Sequence, residues 1–161
     1  MIDAIILAQA AALLQRCEAA GLMLATAESC TGGLIAATLT AIAGSSAVVD
    51  RGFVAYSNAA KHDLVGVPMA LIDTHGAVSE PVARAMAEGA LARSRAALAV
   101  AVTGYAGPGG GSAEKPVGLV WFGCARAGQA TVTASHVFSG DRTEIRRATV
   151  ATALAMLNDR V

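Results

Sequence analysis

The sequence predicts an α/β fold, and three features carry that prediction. Short apolar runs of strand length alternate with alanine-rich segments of helical spacing. Ser, Gly and Pro mark the junctions between them. Aromatic residues are only 4% of the 161, too few for an aromatic-rich β-sandwich, and 38 residues are alanine, which suits helices lying close on a sheet. The length is that of one domain with room for one sizeable core, so residues 1–161 are read as a single domain. With 12 basic and 12 acidic residues, no global field draws nucleic acid or an anionic membrane, and a 55% hydrophobic content excludes disorder.

The elements follow in order. Ile2, Ile5, Ile6, Leu13 and Cys17 recur at helical spacing over residues 2–20, and Gly21 stops the helix. Leu22 to Ala27 reads as a short buried strand. Glu28-Ser29-Cys30-Thr31-Gly32-Gly33 is turn chemistry, followed by a helix from Leu34 to about Ile42. A β-branched and aromatic run (Val48, Val49, Phe53, Val54, Tyr56) gives the next strand. Helices are expected at 58–65 and 69–74, and Ser79-Glu80-Pro81 opens a longer one to about Arg93, with serine as cap and proline in the first turn. Residues 97–103 read as a central strand and 104–116 as a long glycine-rich loop. Residues 117–124 and 131–138 form an expected antiparallel pair joined around Gly128. Asp141 with Glu144 three residues on predicts a capping box for a last helix reaching Leu157.

Several classes are excluded or disfavoured. Mean hydropathy is +0.55, yet charges interrupt each apolar segment within a membrane-spanning length: Asp3 and Arg16 bracket the first, Asp50 and Arg51 follow the second. No basic flank precedes the first apolar stretch, as a signal peptide would require. Three cysteines are too few and of the wrong parity for a disulfide framework, so a reducing cytoplasm is the expected setting. His62, His75 and His136 show no metal-ligand spacing, and neither metal nor cofactor is expected.

Ser29 is the leading chemical candidate. On a strand-to-helix turn its hydroxyl can project where the N–H groups of Cys30, Thr31, Gly32 and Gly33 converge to hold an oxyanion or a phosphate. The match to a nucleophile elbow is partial, since Ala27 replaces the first glycine, and Ser29 as a plain helix cap stays open. Cys30 is a rival nucleophile with no histidine near in sequence, and packing is the favoured reading for it. Lys61 can act as a general base if burial lowers its pKa from about 10.4 towards neutrality, with Tyr56 relaying the proton or orienting the amine. A solvated surface lysine is the bland alternative. The Tyr–Lys spacing is one residue longer than in short-chain dehydrogenases, and no G-x-G-x-x-G follows the first strand, so that reading fails.

Thr103 and Gly104 open a loop in which Gly104, Gly107, Gly109, Gly110 and Gly111 fall within eight residues. Close backbone approach to a ligand would justify so many glycines, and a flexible surface loop is the alternative. No Walker A lysine follows. If the strands before Ser29 and Gly104 run parallel, both turns share one rim of the sheet. Arg142, at the start of the last helix, can bind a phosphate or carboxylate, with a solvated arginine as the favoured reading from the residues alone, and Arg146 and Arg147 are expected to be exposed.

Together these stretches resemble the C-terminal domain of the CinA competence/damage-inducible family, the PncC-type nicotinamide-nucleotide amidohydrolases. The matching segments are Ala27-Glu28-Ser29-Cys30-Thr31-Gly32-Gly33, Ile42-Ala43-Gly44-Ser45-Ser46, Arg51 to Asn58, His75-Gly76-Ala77-Val78-Ser79-Glu80, Thr103-Gly104, Ala106 to Ser112, Lys115-Pro116-Val117-Gly118 and Ser139-Gly140-Asp141-Arg142. Each alone is weak, and the ordered set is specific.

The resemblance implies a three-layer α/β/α sandwich with a mixed sheet, commonly dimeric, that needs no metal. It implies deamidation of nicotinamide mononucleotide to nicotinate mononucleotide and ammonia, with Ser29 as nucleophile and Tyr56 and Lys61 in the proton relay. The substrate is expected to touch Cys30, Thr31, Gly32, Gly33, Thr103, Gly104, Gly107, Gly109, Gly110 and Arg142. The chain looks like the stand-alone form, without the molybdopterin-binding-like domain of full-length CinA. Tyr105 departs from the family pattern and is expected to narrow the pocket or contact the pyridine ring. A non-catalytic nucleotide-binding module and an amidase for another small amide are the competing readings.

Overall fold

In a computed structural model, which describes residues 2–161, α1 (Ala4–Ala19) is followed by β1 (Leu24–Glu28), α2 (Leu34–Thr40) and β2 (Val49–Val54). Then come α3 (Asn58–Val65), α4 (Met69–His75), α5 (Glu80–Ala92), β3 (Leu98–Gly104), β4 (Leu119–Arg126), β5 (Val132–Val137) and α6 (Arg142–Asn158). The sheet order is β2-β1-β3-β4-β5. β1 pairs in parallel with both β2 and β3, and β4 runs antiparallel to β3 and β5. The expected mixed sheet is therefore present. The parallel β1–β3 pair puts the Ser29 turn and the glycine-rich loop on one rim.

Alternation along β3 separates two cores. Leu98, Val100 and Val102 face α1, α2 and α6, where Leu13, Ile35 and Leu154 complete a layer of large side chains. Ala99 and Ala101 face the opposite way, towards α3, α4 and α5, with Ala25, Ala27, Met86 and Ala87. The alanine bias now has a cause: α5 lies so close that only small residues fit beneath it. A Cβ on Gly123 would meet the Ala83 carbonyl oxygen at 2.4 Å, and one on Gly89 would meet that of Val65 at 1.7 Å. Helices on both faces of the sheet make the three-layer sandwich.

The local expectations mostly hold, with informative shifts. The capping box is formed: the Glu144 N–H donates to Asp141 Oδ1 at 2.9 Å, and the Asp141 N–H donates to Glu144 Oε2 at 2.7 Å. Ser79 stands at the start of α5, but its hydroxyl donates to the Gly76 carbonyl (2.8 Å) instead of capping the helix. Ile5 is 68% exposed, because the buried stripe of α1 is Ile6, Ala10, Leu13, Leu14 and Cys17. Arg147 is exposed as expected. Arg146 is half-buried, because its guanidinium reaches back to donate to the Thr31 carbonyl at 2.8 Å. Glu28 belongs to the strand and not to the turn, and is buried. No helix of the described residues is long and apolar enough to cross a membrane.

Candidate functional site

The sequence folds Lys61 onto Ser29 by a short path. In register, Glu28 lies beside Val54 on one side and Val102 on the other. The chain leaves β2 through buried Ala55, whose N–H donates to the Glu28 carbonyl at 2.9 Å. Ser57 then caps α3 by accepting from the Ala60 N–H at 3.0 Å. One turn into α3, Lys61 points back under the sheet rim. Its Nζ donates to Ser29 Oγ at 3.0 Å, to the Ala55 carbonyl at 3.2 Å and to the Tyr56 carbonyl at 3.1 Å. Lys61 is 2% exposed, the largest fully buried side chain among the described residues. Burial lowers its pKa from the ordinary lysine value of 10.5, because the charged amine loses its hydration, and among the described residues it forms no ion pair. The solvated-lysine reading is thereby overturned.

A cleft of about 220 Å³ opens over this pair. Ser29, Cys30 and Lys61 form its floor, and Ala77, Val78, Thr103, Gly104 and Ala106 its far wall; Tyr56, Asn58 and Arg142 complete the lining. Thr103 fixes one wall by donating its hydroxyl to the Ala77 carbonyl at 2.9 Å. Lys115 ties the glycine-rich loop to that wall, with Nζ donating to the carbonyls of His75 (2.6 Å) and Val78 (2.8 Å). Arg142 donates to the Gly107 carbonyl at 2.8 Å, and more weakly to the Tyr56 phenol oxygen at 3.4 Å.

The remaining residues picked out from the sequence lie behind the cleft or above it. Thr31, Gly32 and Gly33 form the back of the turn, and Gly107, Gly109 and Gly110 sit in the loop; none of the six lines the cleft. The loop glycines have internal reasons. Gly107 and Gly110 adopt φ of +83° and +91°, and a Cβ on Gly111 would lie 2.5 Å from the Val117 nitrogen. Tyr105 packs beneath Gly110 and does not line the cleft.

Cys30 is buried, and burial pushes its thiol up to about 12, with the negative charge of Glu28 adding to the rise. A thiol so poised is a poor nucleophile at neutral pH. Among the described residues no group of three or more His, Cys, Asp or Glu is placed to hold a metal.

Glu28 is the site residue that sequence reasoning missed. Its carboxylate is 1% exposed and accepts five hydrogen bonds: from the hydroxyls of Thr26 (3.3 Å) and Thr31 (2.6 Å), and from the N–H groups of Gly33 (3.2 Å), Ile35 (2.9 Å) and Ala36 (2.8 Å). The donors at the start of α2 are therefore already taken. The Ser29 N–H is also committed, to the Val102 carbonyl, and that of Gly32 to the Ser29 carbonyl. Among the described residues, the N–H groups of Cys30 and Thr31 have no such partner. The available signal was an acidic residue closing a mostly apolar strand, with hydroxyl and glycine donors three to five residues on.

Comparison with known proteins bears on this site. Residues 7–161 match the model of the CinA C-terminal domain. The chain is 57% identical over 80% of its length to the nicotinamide-nucleotide amidohydrolase PncC of Enterobacter agglomerans, of which it covers 79%. It is 53% identical over 89% of its length to the PncC of Escherichia coli strain K12, covering 87% of that protein. A CinA-like protein of Mycolicibacterium vanbaalenii is 58% identical over 86% of this chain, which spans only 33% of that longer relative. Among solved structures, the competence/damage inducible protein CihA from Agrobacterium tumefaciens superposes with a TM-score of 0.96 at 55% identity, covering 98% of this chain and 96% of that one.

Proposed function

The chain belongs to the CinA C-terminal domain family, and from that membership and the site's geometry we propose that it is an amidohydrolase converting nicotinamide mononucleotide to nicotinate mononucleotide and ammonia. One observation carries the reading: a buried lysine amine within 3.0 Å of the serine hydroxyl on the turn. A binding module has no use for so costly a placement, whereas a serine nucleophile needs a base at that distance. The PncC relatives, at 53–57% identity over most of the chain, bear that activity in their names.

The mechanism follows from the committed donors. In its neutral form Lys61 keeps two N–H bonds to the carbonyls of Ala55 and Tyr56, which turns its lone pair towards Ser29 Oγ. The amine takes the hydroxyl proton as Oγ attacks the carboxamide carbon. The oxyanion settles on the N–H group of Cys30, the free donor of the turn that lines the cleft. Lys61 then passes its proton to the departing nitrogen, the C–N bond breaks and ammonia leaves. Water, deprotonated by the same amine, hydrolyses the nicotinoyl ester and the proton returns to Ser29.

The Tyr56 phenol faces Arg142, not the amine, so the direct route from Lys61 is preferred to a phenolic relay. Arg142 at the rim is assigned to the 5′-phosphate, and Tyr56 supports it. The protein is expected to act in the cytoplasm, on its cysteine usage, and as a homodimer, as the resemblance implies. The test is ammonia release by purified protein from nicotinamide mononucleotide, nicotinamide riboside, NAD and glutamine. Preference for the mononucleotide is the expected result, and no release from any of the four refutes the assignment.

A further inference from the structure

We propose that Glu28 is a specificity-determining positioning residue, whose buried carboxylate behind the Ser29–Gly33 turn makes the site reject a carboxylate where it accepts a carboxamide. The inference rests on the amidohydrolase reading and adds to it how product is turned away. Hydrolysis replaces a neutral carboxamide by an anion in the same place. The cleft lining contains Lys61 and Arg142 and no acidic side chain, so by itself it favours the anion and would hold its own product.

Glu28 supplies the opposing charge. It forms no ion pair among the described residues, and its five bonds all come from neutral hydroxyl and amide donors. Its carboxylate is thus held by dipoles and not by a paired cation. Those donors include Thr31, which follows Cys30, the residue whose N–H lines the cleft, and Arg146 holds the Thr31 carbonyl from the other side. Glu28 thus braces the turn that carries the Cys30 N–H and sets a like charge behind it. The neighbouring Cys30 thiol is pushed up first by burial and then by Glu28, against the pull of Arg146 and Lys61.

The reaction itself escapes the penalty. The tetrahedral oxyanion forms together with the Lys61 ammonium, so the pair is neutral overall, whereas the product acid gives its proton to solvent and would rebind as an anion. Discrimination by a repulsive group against the wrong ligand is the device at work.

The test is calorimetric binding of nicotinamide mononucleotide and nicotinate mononucleotide to Ser29→Ala, which does not turn over, and to Ser29→Ala/Glu28→Gln. Ser29→Ala should bind the amide more tightly than the acid. Adding Glu28→Gln should tighten the acid about tenfold, the scale of one screened charge pair at roughly 10 Å, and leave the amide within about twofold. Ser29→Ala/Thr31→Val removes a hydrogen bond but keeps the charge, and its acid-to-amide ratio should stay at that of Ser29→Ala.

An unchanged acid affinity in a folded Glu28→Gln protein overturns the proposal, as does an equal shift in the Thr31→Val protein. Should Glu28→Gln fail to fold, Ser29→Ala decides alone, because acid binding tighter than amide overturns the idea. Absence of ammonia release by wild type would sink the hydrolase reading instead, a separate measurement on a different protein. Binding of neither nucleotide would sink both.

Discussion

Replacing Lys61 by methionine tests the buried amine in two independent ways. Methionine keeps much of the side-chain volume in a position that is 2% exposed, and removes the donor to Ser29, Ala55 and Tyr56. A proton-transfer group in a nucleophile–base pair is worth 10²–10⁴ in rate, so kcat for ammonia release should fall about a thousandfold with KM within about threefold. Stability should respond with a definite sign. Burial makes the folded protein bind the Lys61 proton more weakly than the unfolded chain does. Between the lowered pKa and 10.5, unfolding therefore takes up a proton, and stability climbs as pH rises. The slope has a ceiling of about 1.4 kcal/mol per pH unit, or roughly 3–5 °C in Tm for a chain of this size. Below the lowered pKa the full cost of burying the charge is present in wild type. Thermal melts of both proteins across pH 6–10 give the difference curve: wild type should gain on Lys61→Met as pH rises. Parallel curves would show that the amine does not titrate in the folded state, and retained turnover would show that the base lies elsewhere.

Other consequences can be checked alongside. Wild-type protein should keep its activity through incubation with iodoacetamide at pH 8, because the Cys30 thiol is buried and pushed up to about 12; inactivation traced to Cys30 would restore the cysteine as nucleophile. Tyr56→Phe keeps the main-chain carbonyl that holds Lys61 and loses only the phenol near Arg142, so KM should rise about threefold at near-normal kcat, the worth of one exposed hydrogen bond. A hundredfold drop in kcat would instead argue for a phenolic relay. Gly89→Ala should lower Tm by about 6–12 °C, since the new methyl would meet the Val65 carbonyl oxygen at 1.7 Å and push apart α5 and α3, the helix that carries Lys61. An unchanged melt would mean that this helix contact is not as tight as described.

The fold was largely legible because its signals are local. Alternation in β3, the Asp141–Glu144 capping box and Gly21 after α1 each act within a few residues, and each lies where expected or within a residue or two. The site was legible in part for the same reason: a serine on a strand-to-helix turn and a lysine one helical turn past a capped start are local patterns. What sequence could not supply was depth. Whether Lys61 is solvated or buried depends on Ala55 and the β1–β2 pairing, which are long-range contacts. Whether the turn's N–H groups are free depends on a carboxylate that looked like part of the turn. The loop glycines misled for a related reason, because Gly107, Gly110 and Gly111 are explained by positive φ or by a neighbour's backbone.

Every chemical step in this account begins at one oxygen atom, and the most direct test removes it. Ser29→Ala deletes Oγ and leaves the Cys30 N–H group, Lys61 and Arg142 in place. Measured side by side, ammonia release from nicotinamide mononucleotide should fall to background, while the variant still binds the nucleotide with an affinity near the wild-type KM. A variant that continues to release ammonia at even a tenth of the wild-type rate would contradict it.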